Sequence, residues 1–193
     1  MSITSCKRFV LCFVSYAIIL AVLWVLLYQL NKIAFSQLTF SVYITLIFIP
    51  AGLRLVAILL FDEAAVLGLF VGAIITSAIN ASLDLPATIL ISFISAVSPY
   101  FSVALTKYVL NINDILHNLY ARQLILLSLI SAVLSSVTHN IFFYFYLGLS
   151  SDVLNGFLSM FVGDFLGCLL LLYLLSFILK WMQYSHKKSK LII

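Results

Sequence analysis

Six apolar runs follow one another along this chain, with only short polar connections between them. A helix needs about 20 apolar residues to cross the hydrocarbon core of a bilayer. No apolar–polar alternation persists along the runs, and an open sheet would leave backbone groups unsatisfied in lipid. The sequence therefore predicts an all-α polytopic membrane protein, with six transmembrane helices in one domain, 1–193. The predicted spans are 9–30, 38–60, 64–82, 86–107, 121–147 and 153–180.

The composition excludes an ordinary soluble domain. Hydrophobic residues make up 65% of the chain and charged residues 8%, whereas globular domains carry about 25% charged residues. The net charge of +4 could suit nucleic acid, but the basic residues flank apolar runs, where membrane topology explains them better. We therefore expect the lipid bilayer as a partner and no nucleic acid.

The distribution of basic residues predicts the orientation, because cytoplasmic loops are enriched in Lys and Arg. With both termini cytoplasmic, only Lys32 falls on the outer side. The first run is too long for a signal peptide and is not followed by a soluble sequence, so we expect it to be retained. The predicted location is a bacterial inner membrane. The residues on the inner side are Lys7, Arg8, Lys107, Arg122, Lys180, Lys187, Lys188 and Lys190.

Three ionisable residues lie well inside predicted spans: Arg54, His139 and Asp164. At 1.5 Å per residue, Asp164 lies about 16 Å and His139 about 12 Å from the outer boundary. Arg54 lies about 9 Å from the inner boundary, and its side chain tilts toward the helix N-terminus and so toward Asp164. The depths predict a polar cluster in which Asp164 is the counter-ion of Arg54 and His139 is a third member.

Two interpretations of this cluster stay open. Intramembrane charges mark ligand, ion or proton sites by default. The Arg54–Asp164 pair could instead only fasten two helices together, or Arg54 could reach the inner interface. His139 has no partners with metal-ligand spacing, so no metal and no cofactor is predicted.

Small residues predict close helix contacts. Gly68 and Gly72 are four residues apart in the third span, and Gly163 and Gly167 repeat the spacing around Asp164, as in small-xxx-small interfaces. Pro50 and Gly52 are assigned to helix packing as well.

Enzyme motifs are absent. Residues 162–164 (VGD) are similar to an intramembrane aspartyl protease motif, but Phe161 stands where that motif needs glycine. There is no Gly-x-Ser-x-Gly and no phosphate-binding glycine loop. We predict no catalytic residue and no enzyme activity.

Two stretches resemble the MASE1 family of bacterial membrane sensory domains. The first comprises residues 49–55 (IPAGLRL), Leu59, Leu60 and residues 68–73 (GLFVGA). The second is residues 163–167 (GDFLG), an Asp followed three residues later by Gly. The resemblance implies a sensory domain of about eight spans with a cytoplasmic output domain, whereas six spans and no output domain are predicted here.

Three functions follow as hypotheses. The first is a sensor-like or partner-binding module that couples a small-molecule ligand or a membrane or cytoplasmic protein through Arg54 and Asp164. A short interfacial helix predicted over 111–118 could dock such a partner, although a simple elbow between two spans is the more ordinary interpretation. A second copy of the chain is a further candidate partner. The second is a solute-binding or transport subunit, comparable to the substrate-binding components of energy-coupling-factor transporters. The third is a structural subunit of a larger membrane complex.

Overall fold

The computed structural model describes residues 3–41, 44–80, 83–110, 121–148 and 153–189. Within these ranges the chain forms five long helices, which confirms the all-α class. A single 3-10 turn, Ser36–Leu38, and a small antiparallel hairpin of β1 (Thr39–Ser41) and β2 (Ile44–Thr45) follow the first helix. The interfacial helix predicted over 111–118 lies outside the described residues. The helices are α1 (Ile3–Ala34), α2 (Pro50–Asn80), α3 (Leu85–Leu110), α4 (Ala121–Leu147) and α5 (Val153–Ser189).

Five segments of the described chain, rather than the six predicted, are helices long and apolar enough to cross a membrane. The predicted count of six is therefore not confirmed. The difference arises between 38 and 82, where two predicted spans fall on one helix and a preceding non-helical segment. The five segments are Val10–Ala34, Ile49–Asn80, Leu85–Leu110, Arg122–Leu147 and Val153–Ile178.

The interior of the bundle holds small, apolar and polar side chains together, while large apolar side chains cover its outside. On α1 the buried positions Ala17, Leu20, Ala21 and Trp24 form one stripe at helical spacing. The remaining faces of the helix expose residues such as Leu26, which is 56% exposed. Apolar residues outside and small or polar residues between helices are the arrangement that a bilayer favours.

Within 36–49, the described residues 36–41 and 44–49 contain no α-helix, although the predicted second span begins at 38. This stretch is rich in β-branched and aromatic residues, which favour extended backbone. Pro50 lacks an N–H and disfavours helical geometry at the residue before it, so the helix begins at Pro50.

Two backbone N–H groups of residues 46–49 are bonded by the surrounding bundle. The N–H of Phe48 donates to the carbonyl of Gly163 at 3.0 Å, and the N–H of Ile49 donates to Oδ1 of buried Asn31 at 2.9 Å. Non-helical backbone at membrane depth is tolerated where protein encloses it in this way.

The helix α2 is interrupted at Asp62, whose backbone angles are φ 43° and ψ −118°. Arg54 lies before this break, with Cζ 5.8 Å from the ring centroid of Trp24. Thr76 lies after it, with Oγ1 3.1 Å from Nε1 of the same Trp24. In one continuous helix, Arg54 and Thr76 would be separated by about 33 Å.

The two arms of α2, 50–61 and 63–80, therefore lie side by side and run in opposite directions along α1. The start of the first arm meets the end of α1, where Ile49 bonds Asn31, and its end brings Phe61 within 4.9 Å of the ring of Tyr16. The second arm begins near the middle of α1 and ends where Asn80 accepts a bond from Lys32 at 2.8 Å.

Candidate functional site

An ion pair between Arg54 and Asp164 joins the first arm of α2 to α5 in the interior of the bundle. Nη2 of Arg54 lies 2.8 Å from Oδ2 of Asp164, and the two side chains are 4% and 3% exposed. The same Nη2 donates to the hydroxyl of Ser135 on α4 at 3.3 Å. One guanidinium nitrogen thus connects three helices, and each charge has its compensating charge within direct contact.

Two aromatic rings flank the guanidinium. Cζ of Arg54 lies 5.8 Å from the ring centroid of Trp24 and 5.7 Å from that of Phe48. Cations over aromatic faces at this distance are stabilised, more so when desolvated. Trp24 is fixed in turn by its indole N–H, which donates to Thr76 at 3.1 Å. Phe48 belongs to the non-helical segment, so that segment contributes directly to the surroundings of the cation.

His139 lies on α4, one helical turn after Ser135. Its Nδ1 is 2.8 Å from the backbone carbonyl of Ser135, and its Nε2 is 2.9 Å from the hydroxyl of Ser95 on α3. A carbonyl oxygen can only accept, so Nδ1 carries the hydrogen and, in the neutral ring, Nε2 accepts from Ser95. The histidine is held on both sides and presents no further N–H.

A cavity of about 90 Å³ lies above these groups. Its floor contains the buried side chains of Arg54, Asp164 and His139. Its other end is lined by half-buried Asn80 and Leu83, where α2 ends and α3 begins. We call this end of the bundle, which also carries the β1–β2 hairpin, the hairpin end. The rest of the lining includes apolar Trp24, Ile44, Phe48, Ile91, Phe143 and Met160 and polar Tyr28, Thr45, Thr76, Ser77 and Ser95.

The three predicted site residues thus line one cavity, but they are not equivalent. Arg54 and Asp164 are in direct contact, whereas His139 is linked to Arg54 through Ser135, whose hydroxyl bonds Arg54 and whose carbonyl accepts from the ring. Among the described residues, no three His, Cys, Asp or Glu side chains come together as a metal site would require.

The residues predicted to pack closely lie against side chains or backbone of neighbouring segments. Pro50 is fully buried at the start of α2. A methyl group added at Gly52 would lie 2.7 Å from Cβ of Leu171 on α5. The other four contacts involve Gly68 with Ala17 and Leu20, Gly72 with Trp24, Gly163 with the backbone of Thr45, and Gly167 with the backbone of Phe48.

Sequence reasoning missed the two aromatic neighbours of Arg54. Trp24 carries a usable signal, because tryptophan prefers the membrane interface and Trp24 stands deep in an apolar run. Phe48 carries none, since sixteen phenylalanines occur in the chain. Ser135 is one of several serines in the same predicted span, and nothing in the sequence distinguishes it from the others.

A family model described as MASE1 matches residues 8–192, nearly the whole chain. The match includes both stretches that resemble that family, around Arg54 and around Asp164. No curated protein and no solved structure shows significant similarity to the chain.

Proposed function

The chain belongs to the MASE1 family of membrane sensory domains, and we propose that it senses a small ligand in the cavity above Arg54 and Asp164. It is a multi-pass membrane protein, and the location proposed for it is a bacterial inner membrane. Ligand binding in the cavity would change the position of the inner end of α5, and a protein partner bound there would respond to that change.

The observation that carries this proposal is the position of the ion pair. It forms the floor of the cavity and also joins α5 to the first arm of α2. A ligand that binds Arg54 would share the cation with Asp164 and would therefore alter the bond that holds α5 in place. Sensing requires such differential contact, because a ligand shifts a conformational equilibrium only by its difference in affinity for the two states.

We also propose that the chain crosses the membrane six times, with both termini cytoplasmic and the hairpin end outside. The opposite directions of the two arms of α2 support this. So does the length of α2: 31 residues would extend about 47 Å as one helix, well beyond a hydrocarbon core of about 30 Å. The non-helical residues 36–49 and the arm 50–61 together would make the second crossing.

Reporter fusions test this topology. Six crossings place both termini on the same side, whereas five place them on opposite sides. Green fluorescent protein attached at either terminus is expected to fluoresce, and alkaline phosphatase inserted after Gly148 is expected to be active outside. A C-terminal phosphatase fusion that is active would overturn the six-crossing arrangement.

Spin labels test the coupling to α5. With the native cysteines replaced, labels at Tyr108 on α3 and Ile178 on α5 report the spacing of two exposed positions at the inner end. We expect Asp164→Asn to shift or broaden the distance distribution, because α5 loses its charged contact with Arg54. Asp84→Asn, at an exposed position outside the cavity, is the control and should leave it unchanged.

Identical distributions in wild type and Asp164→Asn would rule out transmission through this pair. A solute-binding subunit of a transporter would then be the better candidate. That function requires the cavity but does not require movement of α5.

A further inference from the structure

Arg54 leaves most of its hydrogen-bonding capacity unused. A guanidinium has five N–H groups on three nitrogens, yet both bonds of Arg54 leave from Nη2. Among the described residues, Nε and Nη1 have no hydrogen-bond partner, so three N–H groups lack an acceptor. The side chain is 96% buried and lines the cavity. In the described chain the fully buried side-chain atoms without a partner are the hydroxyls of Ser92, Ser98 and Ser136. The unused nitrogens of Arg54 are therefore not sealed off, and an acceptor that enters the cavity can reach them.

We propose that the cavity binds a short-chain monocarboxylate, with its carboxylate on the unused N–H groups of Arg54. This rests on the proposed function, which makes the cavity a ligand site, and it adds the chemical class of the ligand. Carboxylate oxygens are acceptors that form short, charge-assisted bonds with guanidinium.

The charges around the cavity favour an anion with a single negative charge. Arg54 and Asp164 together are neutral, and Lys32 adds a positive charge at the hairpin end through its bond to Asn80, which lines the cavity. Asp84 lies at the same end and keeps its charge, but it is exposed, does not line the cavity, and bonds the N–H of Ala87 and the hydroxyl of Tyr146 rather than a residue of the lining. A dianion would leave excess charge where little water is present to solvate it.

The size and lining of the cavity favour a short hydrocarbon body. About 90 Å³ has room for a few water molecules or one small organic acid. The lining is mixed, because Phe48, Ile91 and Met160 supply apolar surface while Thr45, Ser77 and Ser95 supply hydroxyls. An inorganic anion such as chloride would leave the apolar part without a partner, and a long acyl chain would exceed the space.

Thermal unfolding of the purified full chain in detergent micelles tests the proposal, because a ligand that binds only the folded state raises Tm with its concentration. Propionate and butyrate are expected to raise Tm. Propionamide, chloride and octanoate at the same concentration and ionic strength should not. Octanoate acting more strongly would assign the site to lipid-derived acids and overturn the short-chain proposal, as would equal stabilisation by chloride or propionamide.

Arg54→Lys is the informative variant. The ammonium can keep the ion pair with Asp164, so the protein is expected to fold, but it lacks the planar set of additional donors. We expect propionate to bind at least about tenfold more weakly, which corresponds to about 1.4 kcal/mol. Arg122→Lys, the same change at an exposed position, should bind as wild type does. Unchanged propionate affinity in Arg54→Lys would overturn the proposal.

The two proposals fail separately. If no carboxylate binds but Asp164→Asn still moves the inner end of α5, the ligand class is wrong and the sensory function stands. If propionate binds and Asp164→Asn moves nothing, the site stands and its coupling to α5 does not.

Discussion

Replacing Asp164 with leucine is expected to lower the free energy of unfolding by about 3–5 kcal/mol, because it leaves a buried cation without its counter-ion. Arg54 cannot lose its charge, and its side chain is only 4% exposed. The flanking rings of Trp24 and Phe48 offset only part of this loss. Chemical unfolding in mixed micelles measures the change. Asp84→Leu is the control at an exposed acidic position and should cost about 1 kcal/mol, the value of its cap on α3.

The double replacement of Arg54 and Asp164 by leucine separates pairing from simple disruption. Removing one member of a buried pair strands the other, whereas removing both leaves no charge to compensate. We therefore expect the double variant to be more stable than Asp164→Leu alone. Arg54→Leu should cost less than Asp164→Leu, because a stranded carboxylate can take up a proton and a guanidinium cannot release one. Additive losses would contradict the ion pair.

The depth of each charged residue could be predicted from the sequence, because helical rise converts residue number into distance along a span. That reasoning brought Arg54, Asp164 and His139 to one region, and the structure places all three around one cavity. Their role as a site stays a prediction. Residues 50–60 of the second predicted span and residues 64–80 of the third also fall on helix.

The break in α2 and the non-helical segment before it could not be predicted from hydropathy. Residues 38–49 are as apolar as a transmembrane helix, so their hydropathy does not distinguish extended from helical backbone. Tertiary contacts decide the conformation of this segment, because Asn31 and Gly163 accept hydrogen bonds that would be made internally in a helix. Pro50 was the local signal for a helix start, and it was assigned to packing instead.

The spacing of Gly163 and Gly167 correctly predicts a close contact, but the neighbouring segment is not the helix that was expected. Their four-residue spacing predicts a closely packed neighbour, and the expected neighbour was another helix. In the structure they face the backbone of Thr45 and Phe48, in the non-helical segment. The spacing of small residues reports how close a neighbour lies, and it carries no information about the conformation of that neighbour.

Gly167→Ala is expected to destabilise the protein by at least about 2 kcal/mol, although alanine favours helix over glycine by about 1 kcal/mol. The added methyl group would overlap the carbonyl of Phe48 and lie 2.9 Å from the N of Ile49. Both are backbone atoms, and Ile49 is held by its bond to Asn31. The clash cannot be relieved by rotating a side chain, so residues 48 and 49 must move away from α5. Thermal unfolding in detergent measures the loss.

Gly156→Ala is the matched control on the same helix. Its methyl group would meet Oδ1 of Asn140 at 3.0 Å and Cδ1 of Ile44 at 3.6 Å. These atoms belong to side chains rather than backbone, although the amide of Asn140 is held by its bond to the carbonyl of Ser136, so a loss smaller than that of Gly167→Ala is expected. Because displacing Phe48 would remove one of the two rings beside Arg54, Gly167→Ala should also weaken propionate binding, while Gly156→Ala should not. Equal stability and equal binding in the two variants would mean that residues 46–49 do not pack on this face of α5, and the surroundings assigned to Arg54 would be wrong with them.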